Sequence, residues 1–223
     1  MAYRRSPLMQ ERLADNRQRI VLAARRLIAA GGFREASIAA VAAEVGLSTG
    51  AIYRYFPSKA ELFVEVLTNA VAHEIAILSA IIAGPDTATQ RLRAAVESFA
   101  SRALEGPHLA YAFIAEPIDP EVDAARIICR QQFGEVFEKV LKSGVKSGEF
   151  ASQSTEISAA CIVGAFTEAL IRPVAPTAKT SDKKKLIKAI ADFCVRAALG
   201  DNAAKIGPGL PANNSKRVSS RKA

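Results

Sequence analysis

The apolar residues of this chain recur three and four positions apart between glycine and proline breakers, and they never alternate over a long run. Spacing of three and four places side chains on one face of an α-helix, whereas strict alternation is typical of strands. Residues such as Gly46, Pro57 and Gly148 end or interrupt the helical runs. The pattern therefore predicts an all-α fold of about nine helices.

The breakers divide the chain into segments of different lengths. The first helix should begin at about Asp15 and end before Gly31, and a helix starting at Ser58 should run to about Ile82. The expected helices cover about residues 15–30, 38–45, 48–56, 59–82, 87–105, 108–115, 119–147, 153–172 and 181–199. The segments before and after them are expected to be a flexible basic arm, residues 1–14, and a disordered basic tail, residues 201–223.

The charge is distributed unevenly along the 223 residues. The net charge of +8 divides into +6 over residues 1–59, −2 over residues 60–200 and +4 over residues 201–223. Basic ends around a nearly neutral middle suggest a polyanionic partner for the ends. Taken alone, the charge is equally compatible with a solvated surface.

Several classes of protein lack their usual signals here. The two histidines, His73 and His108, have no cysteine nearby in sequence, and no zinc-site spacing, P-loop, Gly-x-Gly-x-x-Gly or Gly-x-Ser-x-Gly is present. The start has no apolar run after its basic residues, and the apolar stretch 157–171 is too short and too polar to span a bilayer. We therefore expect a cytoplasmic protein with no membrane span, metal, cofactor or enzyme activity, although a catalytic site assembled from distant residues stays open.

Residues 37–56 carry the strongest functional signal. Two short helical runs meet at Gly46, which tolerates the positive φ of a tight turn. Ala42 supplies a small residue where the helices cross, and Val41, Val45 and Ile52 supply apolar contacts around the turn. Such an arrangement after a basic helix indicates a helix-turn-helix that places its second helix in the major groove of DNA.

The second helix of this unit should point Ile52 and Phe56 inward, because they are four positions apart. Small outward residues allow close approach to base edges, methyl groups can contact thymine, and hydroxyl and cationic groups suit phosphates. The alternative is that the tyrosines are half-buried packing residues and that Arg54 is a solvated charge. The predicted DNA-binding residues are Thr49, Gly50, Ala51, Tyr53, Arg54, Tyr55 and Lys59.

Residues 37–63, and above all the run Tyr-x-Tyr-Phe-x-Ser-Lys-x-Glu-Leu at 53–62, resemble the TetR family of bacterial transcriptional regulators. The resemblance is strong over about residues 15–65. It implies a homodimer with a DNA-binding domain over residues 15–58 and a ligand-binding and dimerisation domain over residues 59–200. Carried over by position, it implies DNA contacts by Ser37, Thr49, Gly50, Ala51, Tyr53, Tyr55 and Lys59. Ala51 departs from the threonine or serine that relatives often carry.

The resemblance also implies a small-molecule pocket among the middle helices. Aromatic residues with a few polar groups would suit a mostly apolar ligand with a polar end. The alternative is that these aromatic residues are ordinary core and that Arg130 pairs with a surface acid. The predicted pocket residues are His108, Tyr111, Glu116, Arg130, Phe133, Phe137 and Phe166.

The last two helical segments offer smooth apolar faces that suit a four-helix interface between two subunits. The alternative is that these faces pack internally. The predicted interface residues are Ala160, Val163, Gly164, Thr167, Leu170, Ile171, Ile190 and Phe193.

The sequence thus predicts a ligand-responsive repressor that binds a palindromic operator on double-stranded DNA. The competing interpretation is a nucleic-acid-associated scaffold, which would lack a cavity within residues 60–200.

Overall fold

The computed structural model describes residues 7–178 and 182–200, and for residues 7–10 it describes the backbone alone. The described residues form nine α-helices and no strand, which confirms the all-α prediction. The helices are α1 Pro7–Gly31, α2 Ile38–Val45, α3 Thr49–Tyr53, α4 Lys59–Ile82, α5 Ala88–Glu105, α6 Pro107–Ile114, α7 Pro120–Ser147, α8 Thr155–Val174 and α9 Lys183–Leu199.

The start of α1 corrects one prediction. The helix begins at Pro7, so the flexible arm predicted over residues 1–14 is wrong for residues 7–14. Proline suits the first helical position, and the residues that follow it, Leu-Met-Gln-Glu-Arg-Leu-Ala, are good helix formers. The predicted tail, residues 201–223, and residues 1–6 of the predicted arm lie outside the described residues.

The chain builds a small N-terminal head, α1 to α3, and a larger bundle, α4 to α9. In the head, Ile20, Ile28, Val41 and Ile52 are buried against one another in one apolar core. In the bundle, α4 packs on α7, α7 on α8, and α5 on α9. Helix α4 belongs to both parts, because it begins beside the head and also packs against α5 and α7.

Two helices are long and apolar enough to be compared with membrane spans. Lys59–Ile82 and Thr155–Val174 could each cross a membrane by length and composition alone. In the fold, however, each helix buries a stripe of residues in the shared core, such as Leu62 and Val66 in α4 and Ile162 and Phe166 in α8. Core helices of soluble proteins pass the same test of length and composition.

Candidate DNA-binding and ligand sites

The turn between α2 and α3 has the geometry that the helix-turn-helix prediction requires. Gly46 has φ of 70°, a left-handed conformation that glycine adopts without strain. Its N–H donates to the Ala43 carbonyl at 3.3 Å, and the N–H of Leu47 donates to the Ala42 carbonyl at 2.9 Å. This pair of hydrogen bonds is a Schellman motif, which ends α2 and sets the direction of the chain into α3.

Helix α3 presents small and hydroxyl-bearing side chains to the outside. Ile52 and Phe56 are fully buried, as predicted, and they fix which side of the helix faces the core. Thr49, Gly50 and Arg54 are exposed, Ala51 is partly exposed, and Tyr53 is 49% exposed. The outer face of α3 is therefore open to a partner along its whole length.

Tyr55 is held more tightly than the other predicted contacts. Its hydroxyl accepts a hydrogen bond from the Asn16 side chain at 3.1 Å, and its carbonyl accepts one from Arg17 at 2.6 Å. Arg17 also pairs with Glu65 on α4 and lies 4.2 Å from the centre of the Phe56 ring. These contacts tie α1 and α4 to the end of α3, so the orientation of α3 depends on both neighbours.

The basic side chains of α1 divide between internal and exposed roles. Arg19 donates to the Val45 carbonyl at 3.2 Å, at the end of α2, and Arg26 pairs with Glu44 at 2.6 Å. A cation suits a helix C-terminus because the last carbonyl groups are unpaired there. These arginines and Arg17 therefore brace the head, so only part of the basic charge on α1 is free for a polyanion.

The starts of α2 and α4 also carry predicted DNA contacts. The Ser37 hydroxyl accepts from the Ala40 N–H at 3.1 Å, and the Ser58 hydroxyl accepts from the Glu61 N–H at 3.0 Å. Both serines are therefore N-caps, and the Ser37 hydroxyl can still donate to a phosphate. Lys59 is partly exposed, with its ammonium 5.0 Å from the centre of the Phe63 ring.

A cavity of about 320 Å³ lies in the bundle between α4, α5, α6 and α7. Its apolar lining includes Leu67, Phe99, Leu109, Phe113 and Phe133. The volume falls at the low end of the range of about 300–1,000 Å³ that is typical of small-molecule sites. The feature that separates a ligand-responsive protein from a scaffold without a ligand site is thus present.

The predicted pocket residues fall into three groups. Arg130 and Phe133 line the cavity. Phe137 and Phe166 are fully buried behind it, with ring centres 5.3 Å apart, so their assignment to the lining is wrong. They form a second layer instead, because Phe166 contacts Phe99 of the cavity wall at 4.8 Å.

His108, Tyr111 and Glu116 are also outside the lining, which corrects their assignment. Their helix α6 lies between the cavity and α1, so one side of it faces the head rather than the ligand space. His108 Nδ1–H donates to the Ala30 carbonyl at 2.7 Å, and the Phe33 N–H donates to the Glu116 carboxylate at 3.0 Å. Tyr111 is half-buried against the core.

Sequence reasoning gave no role to Phe99 or to the pair formed by Arg102 and Glu74, all of which line the cavity. The guanidinium of Arg102 donates to Glu74 at 2.6 Å from Nη2 and at 2.9 Å from Nε. These residues lie on α4 and α5, far apart in sequence, so spacing carries no signal of their meeting. Cys129 also lines the cavity, and burial raises the pKa of its thiol.

The predicted interface residues divide by burial. Val163, Thr167, Leu170 and Ile190 are buried inside the single chain, so their assignment to a subunit interface is wrong. Ala160, Gly164 and Phe193 are exposed and Ile171 is partly exposed. Ile157, which was not predicted, is 61% exposed on α8, and Phe193 is 55% exposed on α9. Both helices therefore leave apolar side chains uncovered.

Chemistry that would indicate an active site is not apparent in the described part of the chain. Among residues 7–178 and 182–200, no group of three or more His, Cys, Asp and Glu side chains could hold a metal ion. Burial raises the pKa of Cys194 to about 11, so that thiol stays protonated at neutral pH. A helix-turn-helix head joined to a helical bundle with an apolar cavity instead defines a DNA-binding regulator with a ligand-binding domain.

Comparison with known families identifies that regulator class more closely. The pattern described as bacterial regulatory proteins, tetR family, matches residues 20–66. A second, described as tetracyclin repressor-like, C-terminal domain, matches residues 85–170. The two matches together cover more than half of the chain, which belongs to the TetR family of bacterial regulatory proteins. The protein is therefore a DNA-binding transcriptional regulator rather than an enzyme.

Solved structures of similar fold agree with this placement. The fold resembles that of the regulator FadR from Bacillus subtilis in complex with stearoyl-CoA, with a TM-score of 0.70 and 20% identity, covering 81% of this chain and 98% of that chain. It also resembles RolR in complex with resorcinol, with a TM-score of 0.68 and 21% identity, covering 88% and 93% of the two chains. At these identities the likeness concerns the fold alone.

A curated relative matches over a shorter region. The nucleoid occlusion factor SlmA of Pasteurella multocida (strain Pm70) is 36% identical over 62 residues, which are 27% of this chain and 31% of that relative. The match thus spans less than a third of the relative's length.

Proposed function

We propose that this protein is a cytoplasmic, ligand-responsive repressor that binds a palindromic operator as a homodimer and leaves it when a small molecule fills the bundle cavity. One observation carries the proposal. The cavity and the head share a wall, because α6 lines the cavity on one side and bonds to the end of α1 on the other. A ligand that displaces α6 would therefore act directly on the head.

The contact between α6 and the head consists of several specific interactions. His108, near the start of α6, bonds to the last turn of α1, and Glu116, just after α6, accepts from the Phe33 N–H. The Phe33 ring lies 4.8 Å from the Phe63 ring of α4 and 6.2 Å from the Phe113 ring of α6. Phe113 also lines the cavity, so one ring separates the ligand space from the head.

Gly32 lies where the end of α1 meets the end of α6, and its backbone conformation favours glycine. Its φ is 84°, and a Cβ at this position would lie 2.7 Å from a Glu116 carboxylate oxygen. The turn after α1 therefore favours glycine for its backbone conformation, and a side chain there would also displace the Glu116 carboxylate. We call the bonds that join Ala30 and Phe33 to His108 and Glu116 the α1–α6 latch.

Binding to DNA would place α3 of each subunit in successive major grooves. In dimeric helix-turn-helix proteins the half-sites are about 34–36 Å apart, so the distance between the two heads decides whether both can bind. A ligand can bind more tightly to a dimer whose heads are too close or too far apart for the operator. It then weakens DNA binding by the difference between its affinities for that dimer and for the DNA-binding dimer. Coupling of this kind typically amounts to about 1–3 kcal/mol.

The exposed apolar residues of α8 and α9 supply the proposed dimer interface. On α8 the uncovered residues are three or four apart, which makes them one stripe of the helix. Small side chains within such a stripe allow a second helix to approach closely, and apolar surface of this kind marks association sites. The proposed interface residues are Ile157, Ala160, Cys161, Gly164, Phe193 and Ala197.

The substitution Ile157→Asp tests the interface and its role in DNA binding together. Because Ile157 is 61% exposed, an aspartate there leaves the chain's own core intact but would bury a charge at the interface. We expect the variant to be monomeric by light scattering and to bind a palindromic fragment at least about 100-fold more weakly, since each head then binds alone.

Ala76→Asp is the matched control, because Ala76 is an exposed apolar residue on α4, away from α8 and α9. The control is expected to remain dimeric with unchanged DNA affinity. A dimeric Ile157→Asp protein would show that this face is not the interface. A monomeric variant with full operator affinity would contradict the dimeric binding mode.

A further inference from the structure

We infer that the ligand of the bundle cavity is a small amphipathic acid, whose apolar body lies against the phenylalanines and whose carboxylate meets Arg130. The inference rests on the proposed function, because it takes the cavity as the effector site. It goes further by assigning the chemical class of the effector and the residues that recognise it.

The walls select an apolar body of limited size. Three rings, Phe99, Phe113 and Phe133, line the cavity from three different helices, α5, α6 and α7. The rings of Phe99 and Phe133 meet edge to face, with centres 5.6 Å apart. Behind Phe99 lies the fully buried Phe166, so this wall consists of two layers of aromatic rings.

The charged groups of the lining leave an excess of positive charge. Four arginines and two glutamates contribute to it. Glu74 is already neutralised by Arg102 through short hydrogen bonds, and the Glu105 carboxylate accepts from the Ser101 hydroxyl at 2.9 Å. Arg25 and His73 lie at the exposed edge. Arg126 is paired with Asp123, so Arg130 is the arginine inside the cavity that has no acidic partner among the described residues, and it favours an anion over a cation.

Arg126 is bonded within the wall of this cavity. Its side chain is only 9% exposed, and its terminal nitrogens bond to Asp123 and to the carbonyls of Ala112 and Glu116. Its Nε–H is buried and has no acceptor among the described residues. Because that atom is almost fully shielded and the terminal nitrogens are already bonded, Arg126 adds positive charge to the wall without a donor that a ligand can reach.

Arg130 supplies the donors that a ligand can reach. It follows Arg126 by four residues on α7, so the two side chains share one face of the helix, and both line the cavity. The guanidinium of Arg130 makes one long contact, 3.5 Å to the Ile114 carbonyl, and is otherwise exposed. A carboxylate can accept two hydrogen bonds from one guanidinium, so it fits Arg130 better than a neutral acceptor does.

The experiment compares acids with their neutral amides on the purified full-length protein. Octanoate and phenylbutanoate serve as aliphatic and aromatic probes, and octanamide and phenylbutanamide are their uncharged counterparts. We expect titration calorimetry near neutral pH to show at least one acid binding about tenfold or more tightly than its amide. The variant Arg130→Gln should bind acid and amide alike.

Lys139→Gln is the control, because it removes one positive charge from an exposed position on the same helix outside the cavity. It should keep the preference for the acid. Amides that bind as tightly as the acids would overturn the inference, as would an acid preference that survives Arg130→Gln. Failure of both acids to bind at millimolar concentration would overturn it as well.

The same samples separate this inference from the proposed function. Fluorescence anisotropy of a labelled operator fragment reports whether the bound acid releases DNA. Binding that depends on Arg130 without any release of DNA would support the acid site and contradict the ligand-release mechanism. A palindromic operator bound by a dimer that ignores both acids would leave the repressor proposal in place and remove the acid.

Discussion

Tyr53 and Tyr55 lie two positions apart, and their hydroxyl groups have different surroundings. The hydroxyl of Tyr55 is held by Asn16, whereas Tyr53 is 49% exposed on the outer face of α3. A tyrosine that packs part of its ring can still offer its hydroxyl to a partner. At the scale of single residues, Tyr53 is thus the side chain of α3 best placed to bind a phosphate.

We expect Tyr53→Phe to weaken binding by about tenfold on all DNA sequences alike, because a hydrogen bond to a charged phosphate oxygen is lost. The preferred motif and the salt dependence should stay the same, since no charge is removed. Anisotropy titrations on operator and unrelated fragments measure this. Tyr111→Phe, the same change on α6, is the control, and equal affinities for wild type and Tyr53→Phe would remove the role.

The arginines of α1 show what the sequence could and could not supply at this scale. Their positions in the sequence lie outside the apolar stripe formed by residues such as Ile20, Ala24 and Ile28. Periodicity carries no information on their partners, because Arg17, Arg19 and Arg26 bond to groups that come from other helices. Tertiary packing decides which of these arginines bond to other helices and which remain exposed. Spacing along one helix gives no information about that packing.

At the scale of elements, α6 has the most consequential position. It is eight residues long, begins with Pro107 and lies between the cavity and the head. Short helices owe most of their stability to packing rather than to their own hydrogen bonds. A change of contacts on the cavity side can therefore be expected to alter the α1–α6 latch on the other side.

We expect Glu116→Ala to speed hydrogen exchange of the Phe33 amide by at least about tenfold, because a hydrogen bond to a charged acceptor is worth about 1.5–3 kcal/mol. Exchange in the middle of α7 should not change. Glu121→Ala, at an exposed position in the first turn of α7, is the control. Unchanged protection of Phe33 would show that the latch bond does not hold the two parts together.

Element positions were largely readable from the sequence, since most glycine and proline breakers lie at helix ends. Gly46 and Gly148 both follow a helix and have positive φ, as a C-terminal cap requires. The start of α1 was missed, although Pro7 suits the first position of a helix. The end of α8 was also displaced, because Pro173 lies inside the helix, which continues to Val174.

At the scale of the whole molecule, the sequence identified the apolar helices but not which side of each faces inward. Helix α8 is apolar around much of its circumference, so spacing alone did not separate the buried Val163 and Leu170 from the exposed Ile157 and Gly164. The same limit applies to the cavity. Its wall combines residues of α4 to α7, and their meeting depends on the bundle as a whole.

The most direct test of operator binding by a dimer is a selection of bound fragments from random DNA, with the purified protein at moderate salt. A dimer with two α3 helices about one turn of DNA apart should recover a two-part palindromic motif. Recovery of DNA without any motif, with affinity that falls steeply as salt rises, would mean that the basic regions only bind phosphates. That result would contradict sequence-specific operator binding by a dimer.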